Sequence, residues 1–301
     1  MSALHYELPG VAALRFPLSR SRTLLFFVGV NLLFLGLDTF LGHVIDGVIR
    51  AYEWIPVFHG PLAGLVVLWV VFRPRPSRGE VVLLLLALAS SLAVGLMGTA
   101  FHWQRAMLVR GGTSGSFLEW LIFAPPAAGP SAFMGVALIG LLAALHEVPR
   151  DSGQMDLWGL VQFRAPLTKT QQLLWLVGLG YAGATLSSAL DHARSGFVHP
   201  TTWIAVLAGA FATAVTLGRA SNRKPTPADD SVHFWTNVAL MGVGVLGFAM
   251  HLDANLTGRG EISLERLVSH APVMAPLLLV NLGLLGLIAV MRPSAQPSAS
   301  A

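Results

Sequence analysis

Eight apolar stretches, at 24–43, 59–73, 81–102, 131–147, 172–191, 201–218, 235–251 and 272–291, dominate this chain. Spanning about 30 Å of hydrocarbon as a helix takes about 20 mostly apolar residues. Within lipid the backbone must satisfy its own hydrogen bonds, which leaves helices as the fold for stretches of this kind. The expectation is an all-α, polytopic integral membrane protein with eight transmembrane helices; the third and eighth stretches are the strongest and the second and sixth the weakest. Composition agrees, with 54% hydrophobic and 11% charged residues, about half the charge of a soluble domain. The lipid bilayer is therefore the first partner.

Lys and Arg are distributed as topology signals. Thirteen of the nineteen flank one set of ends: Arg15, Arg20 and Arg22; Arg73, Arg75 and Arg78; Arg150, Arg164 and Lys169; Arg219, Arg223 and Lys224; and Arg292. Arg50, Arg105, Arg110, Arg194, Arg259 and Arg266 lie on the other side. By the positive-inside rule both termini are cytoplasmic, in a bacterial inner (plasma) membrane. The pI near 10.1 then needs no nucleic acid, because no basic stripe with interleaved aromatics occurs. No cleavable signal peptide is expected, since the polar stretch before Thr23 is long and the first span ends in Asp38 and His43 without a small-x-small site. The chain has no cysteine, which excludes disulfides, thiolate ligands and iron–sulfur clusters within it.

Four apolar stretches end alike, in Gly36-x-x-Thr39-x-x-x-His43, Gly95-x-x-Gly98-x-x-x-His102, Thr185-x-x-Ser188-x-x-x-His192 and Gly244-x-x-Gly247-x-x-x-His251. Positions 0, −4 and −7 share one helix face, so each histidine stands above a strip of small residues that admits another helix or a flat ligand. His43 and His192 are 149 residues apart, as are His102 and His251. The spacing predicts two tandem four-helix repeats made of four outward-opening hairpins. The divisions are a cytoplasmic N-terminal segment (1–23), a first half (24–147), a cytoplasmic connector (148–171), a second half (172–291) and a disordered tail (292–301). The connector is expected to hold an amphipathic helix around Leu157–Val161. Outer connections are expected to carry amphipathic stretches at Val44–Tyr52, at Phe117–Leu121 and after an N-cap at Ser263.

The even spans restart beside prolines, three of them with a histidine: His59 before Pro61, His199 before Pro200 and His270 before Pro272. Seven of the ten histidines thus gather at the outer side. Asp38 lies inside the first span, with Asn31 seven residues earlier on the same face, and an ionisable group there is expected to face the bundle interior with an ion, Arg50 or Arg105 as partner. Asp191 precedes His192, and Asp253 follows His251 by two. Imidazole with carboxylate is ligand chemistry for Cu, Fe or Zn, so the leading expectation is an outer transition-metal centre from His43, His102, His192, His251, His59, His199, His270, Asp38, Asp191 and Asp253, used for redox chemistry or metal handling. Against it stands the structural alternative, in which helix-end histidines answer the helix dipole.

A b-type haem between two histidines on facing helices ranks second, because the aspartates and extra histidines suit a polar ion site better than an apolar slot. A noncatalytic subunit that binds a membrane or periplasmic protein is the rival from another class, and a small-solute transporter comes last. Gly178-Leu-Gly180-Tyr-Ala-Gly183 and Gly242-Val-Gly244-Val-Leu-Gly247 fit a dinucleotide-binding pattern only in letters, since no strand precedes either one. Met250 and Met274 could serve Cu(I) but suit packing as well.

Overall fold

The computed structural model describes residues 4–5, 18–45, 47–110, 117–123, 129–257, 262–263 and 265–293. The chain is mostly helical: α1 Arg20–Ile45, α2 Trp54–Val71, α3 Arg78–Arg110, α4 Phe117–Phe123, α5 Ser131–Ala144, α6 Lys169–Arg194, α7 Thr202–Ser221, α8 Pro227–Thr257 and α9 Leu277–Val290. Among the described residues six helices (α1, α2, α3, α6, α7 and α8) are long and apolar enough to cross a membrane. The fourth and eighth stretches form helices of only 14 residues each, about 21 Å at 1.5 Å per residue. Pro130 and Pro276 stand as N-caps of these two helices, so proline delays both starts.

α1, α3, α6 and α8 all begin at the end of the molecule that carries the basic residues, each behind a Ser or Thr that satisfies first-turn N–H groups. Ser77 and Glu80 bond reciprocally, as do Thr168 with Gln171 and Thr226 with Asp229, each a capping box or its aspartate equivalent. Ser19 Oγ accepts from the Arg22 N–H at 3.4 Å.

α1 and α3 each pack on α2 and α5, which places them diagonally across a four-helix bundle; α6 and α8 are placed the same way by α7 and α9. Glycine sets the spacing. A Cβ on Gly64 would lie 2.7 Å from Gly29 O. One on Gly95 would lie 2.7 Å from the Met134 nitrogen, and one on Gly244 would lie 3.0 Å from the Val280 nitrogen. Gly98 and Gly247 face Pro130 and Pro276 in the same manner, at 2.8 and 2.9 Å from Cβ to Cβ. The small-residue strips are thus filled by the neighbouring helix.

The two bundles meet where α5 packs on α6 and α1 on α9. Lys169, 2% exposed, donates from Nζ to Ser21 Oγ and to the carbonyls of Ala143 and Leu145 at the end of α5. Arg20 Nη1 donates to Ala289 O at the end of α9 and to Thr170 Oγ1. Each cation caps the C-terminal carbonyls of the other bundle's short helix, where the helix dipole favours positive charge. Asn31 and Asn281 join α1 to α9 through reciprocal amide bonds.

The connector departs from expectation. Residues 146–164 form a three-stranded antiparallel sheet, β2 His146–Glu147, β3 Gln154–Asp156 and β4 Gln162–Arg164, numbered after β1 Leu4–His5, which pairs with β5 Arg292–Pro293. Leu157–Val161 is the β3–β4 turn rather than a helix, with Trp158 and Gly159 at positive φ and Leu157 N donating to Val161 O. In the outer connections, Ala51–Glu53 is a single 3-10 turn and Arg266–His270 a π turn. Ser263 Oγ accepts from the Arg266 N–H, as an N-cap would.

Candidate cofactor site at the histidine end

His43 on α1 and His102 on α3 face each other across the first bundle with ring centroids 6.2 Å apart and planes at 84°. His192 on α6 and His251 on α8 do the same across the second, at 6.2 Å and 90°. Hydrogen bonds fix the tautomers of His43 and His251. His43 Nδ1 lies 2.8 Å from Thr39 O, and His251 Nδ1 lies 2.8 Å from Pro272 O. A carbonyl only accepts, so in each ring Nδ1 carries the hydrogen and Nε2 keeps its lone pair. That is how ligating histidines are commonly oriented. Asn255 is fully buried and secures the second site by donating to His251 O and Ala271 O.

Among the described residues, the remaining expected ligands do not join these pairs. His59 Nε2 lies 2.9 Å from Ser91 Oγ, whose hydroxyl donates to Ala87 O; Ser91 therefore accepts, and His59 Nε2 carries the hydrogen. His199 is exposed ahead of α7. The His270 side chain lies outside the described residues. Asp38, Asp191 and Asp253 are all exposed. At about 100° per residue, Asp38 points roughly 140° away from His43, Asp191 about 100° from His192 and Asp253 about 160° from His251. Asp38 instead shares the Asn31 stripe that faces the other bundle. It forms no ion pair with Arg50, which bonds Tyr52 and Glu53, or with Arg105, which is exposed. Among the described residues no three His, Asp or Glu side chains gather as a metal site would require.

Two imidazoles sharing one metal at about 2.0–2.1 Å have centroids about 5 Å apart at a tetrahedral angle and about 6.3 Å apart when trans. The 6.2 Å separation fits trans ligation. Among the described residues no third His, Asp or Glu joins either pair, an arrangement compatible with a bound group that brings further ligands of its own. Comparison with known proteins adds no analogy: no protein family, curated protein or solved structure matches the chain.

A second polar assembly, not singled out by the sequence, lies deeper in the second bundle. Tyr181 of α6 donates to Asn237 Oδ1 of α8, and His233 Nε2 of α8 donates to Gly286 O of α9. These three side chains are fully buried. The sequence signal for them was a Tyr inside the fifth apolar stretch and a His-x-x-x-Asn across the start of the seventh.

Proposed function

We propose that the protein is a membrane redox subunit that holds a b-type haem between the imidazoles of each diagonal pair, His43 with His102 and His192 with His251. The observation that carries this reading is the recurrence of one ring geometry, 6.2 Å and near-perpendicular, in both bundles. The helices of four-helix bundles commonly offer core side chains to cofactors in this way. When bound, haem supplies one-electron exchange. The residues of the chain hold and orient it: the Nδ1–H bonds of His43 and His251 aim Nε2, and the glycine faces draw each short helix against α3 or α8.

The same reading takes the chain as two tandem four-helix bundles. Helix starts support this, because α6 begins 149 residues after α1 and α8 begins 149 after α3. Eight crossings would then include the short α5 and α9, with both termini cytoplasmic and the paired histidines at the periplasmic face of a bacterial inner membrane. A single transition-metal ion (Cu, Fe or Zn) in each pair is the second reading, favoured by the fixed tautomers, but it needs further ligands from water or from another protein.

The test is protein purified without a histidine tag and assayed for haem as the pyridine complex and for metals by mass spectrometry. Ala at His43 or His102 should halve the haem, Ala at His192 or His251 should remove the other half, and His199→Ala should change nothing. Metal without haem would favour the second reading. Neither group, with full stability of the quadruple alanine variant, would leave a noncatalytic interaction subunit.

A further inference from the structure

The two bundles differ sharply at matching positions of the 149-residue register. In the first bundle Leu32, Leu84, Leu88, Val67, Val70 and Val81 are buried. In the second, the corresponding positions hold Tyr181, His233, Asn237, Thr216, Arg219 and Asp230. Buried polar groups inside membrane spans are costly and mark functional sites by default, and at these six positions the first bundle does without them.

These groups form a column. At the basic end Arg219 Nε donates to Asp230 Oδ1 at 2.8 Å, one helical turn before His233 on α8. Next comes His233, with Nε2 3.1 Å from Gly286 O. The Asn237 amide nitrogen lies 3.3 Å from both ring nitrogens and donates to His233 O, while Asn237 Oδ1 takes the Tyr181 hydroxyl. Two hydroxyls beside the column, Thr216 Oγ1 and Thr185 Oγ1, are buried without a hydrogen-bond partner. Thr185 stands one turn above Tyr181 and two below His192. Buried hydroxyls left open in this way are sites for internal water.

We propose that the second bundle contains a proton-binding site at His233, reached from the basic end through Asp230, Arg219 and water at Thr216, and that the first bundle has none. Nε2–H is committed to Gly286 O, so the incoming proton adds to Nδ1; it comes from water at the basic end, and the ring becomes an imidazolium. The groups facing it are Asp230 on its own helix, Arg219 on α7 and Tyr181 on α6, while α9 presents only the Gly286 carbonyl. Asp230 stabilises the cation and Arg219 opposes it. From Tyr181 the column continues through Thr185 toward His192. The inference goes beyond the cofactor reading and does not depend on it.

The test is histidine-selective nitrogen-15 NMR of the full chain in lipid nanodiscs between pH 4.5 and 9. The triple variant Tyr181→Leu, His233→Leu, Asn237→Leu, which copies the packing of the first bundle, should fold and lose only the His233 signals. Those signals should titrate in the parent, and Asp230→Asn should weaken proton affinity on the order of tenfold. A ring that stays neutral throughout, or a titration unmoved by Asp230→Asn, overturns the proposal. Because the chain has no cysteine, Thr216→Cys and Val67→Cys each create a sole thiol at matching depth. Aqueous silver ion should titrate the first at least tenfold faster than the second, and equal rates would also overturn it.

Discussion

Replacing Lys169 with methionine tests how the two bundles are joined. The ammonium is buried and donates to Ser21 Oγ, Ala143 O and Leu145 O, and methionine fills similar volume without donors. Two carbonyls at the end of α5, the buried Ala143 O and the partly buried Leu145 O, lose their partner, at about 1–3 kcal/mol each. Glu147, whose Oε1 accepts from the Gly153 and Lys169 N–H groups and whose Oε2 is buried without a partner, also loses a nearby positive charge. Relief of the desolvated ammonium offsets part of this, as buried charges cost several kcal/mol to bury. The net expectation is a loss of about 2–4 kcal/mol, read as a lower unfolding midpoint in a sodium dodecyl sulfate titration from mild detergent. Arg20→Met, which uncaps α9, should lose less, because only Ala289 O among its acceptors is a helix-end carbonyl. Stability of Lys169→Met within about 0.5 kcal/mol of the parent would refute the capping account.

Gly95→Val should strongly destabilise the first bundle, since its Cβ would meet the Met134 nitrogen, while Gly42→Ala, with nothing within 4 Å, should be neutral; thermal unfolding of the two compares them directly. Asp38→Asn should leave any bound haem or metal unchanged, because Asp38 and His43 lie on different helix faces, and loss of the bound group would reinstate Asp38 as a ligand. Burial, and then the positive charge of Lys169, hold His146 below the usual histidine range against the opposing pull of Asp156. Its contribution to the connector is therefore present above the unfolded value near 6.5 and lost as pH falls through the lower folded value. Hydrogen exchange across 146–164 should accelerate at pH 5 relative to pH 7.5 after correction for intrinsic rates, and His146→Phe, which keeps a ring against Trp158, should remove that difference.

The helices were legible from apolar length, and the recurring histidine register marked the four residues that the bundles bring into two pairs. Span strength was less informative. The weak second and sixth stretches, 59–73 and 201–218, became full-length helices, because their flanks at Trp54 and Ser221 extend them. The strong eighth stretch lost its first turns to Pro272 and Pro276. Helix phase, more than local sequence, separated the aspartates from the histidines, and the angle could have been computed from spacing alone: five residues from Asp38 to His43 already turn the side chains to different faces. Ser77, Thr168 and Thr226 stand three residues before Glu80, Gln171 and Asp229, a capping pattern that only the structure brought out. The glycine strips were ambiguous, since a small-residue face admits a helix as readily as a flat ligand, and only the placement of Pro130, Met134, Pro276 and Val280 decides between them. Nothing local to Tyr181, His233 or Asn237 foretold their meeting, which depends on how α6, α8 and α9 pack.

Low-temperature electron paramagnetic resonance of the oxidised, untagged protein reads out the proposed binding of one haem by each histidine pair. Haem held between the near-perpendicular rings of each pair would give a strongly anisotropic low-spin ferric signal, one haem per pair, reduced by half in His43→Ala and abolished in His43→Ala with His192→Ala. A protein with no haem signal, a high-spin signal from singly ligated iron, or a low-spin signal that survives the double substitution would contradict it.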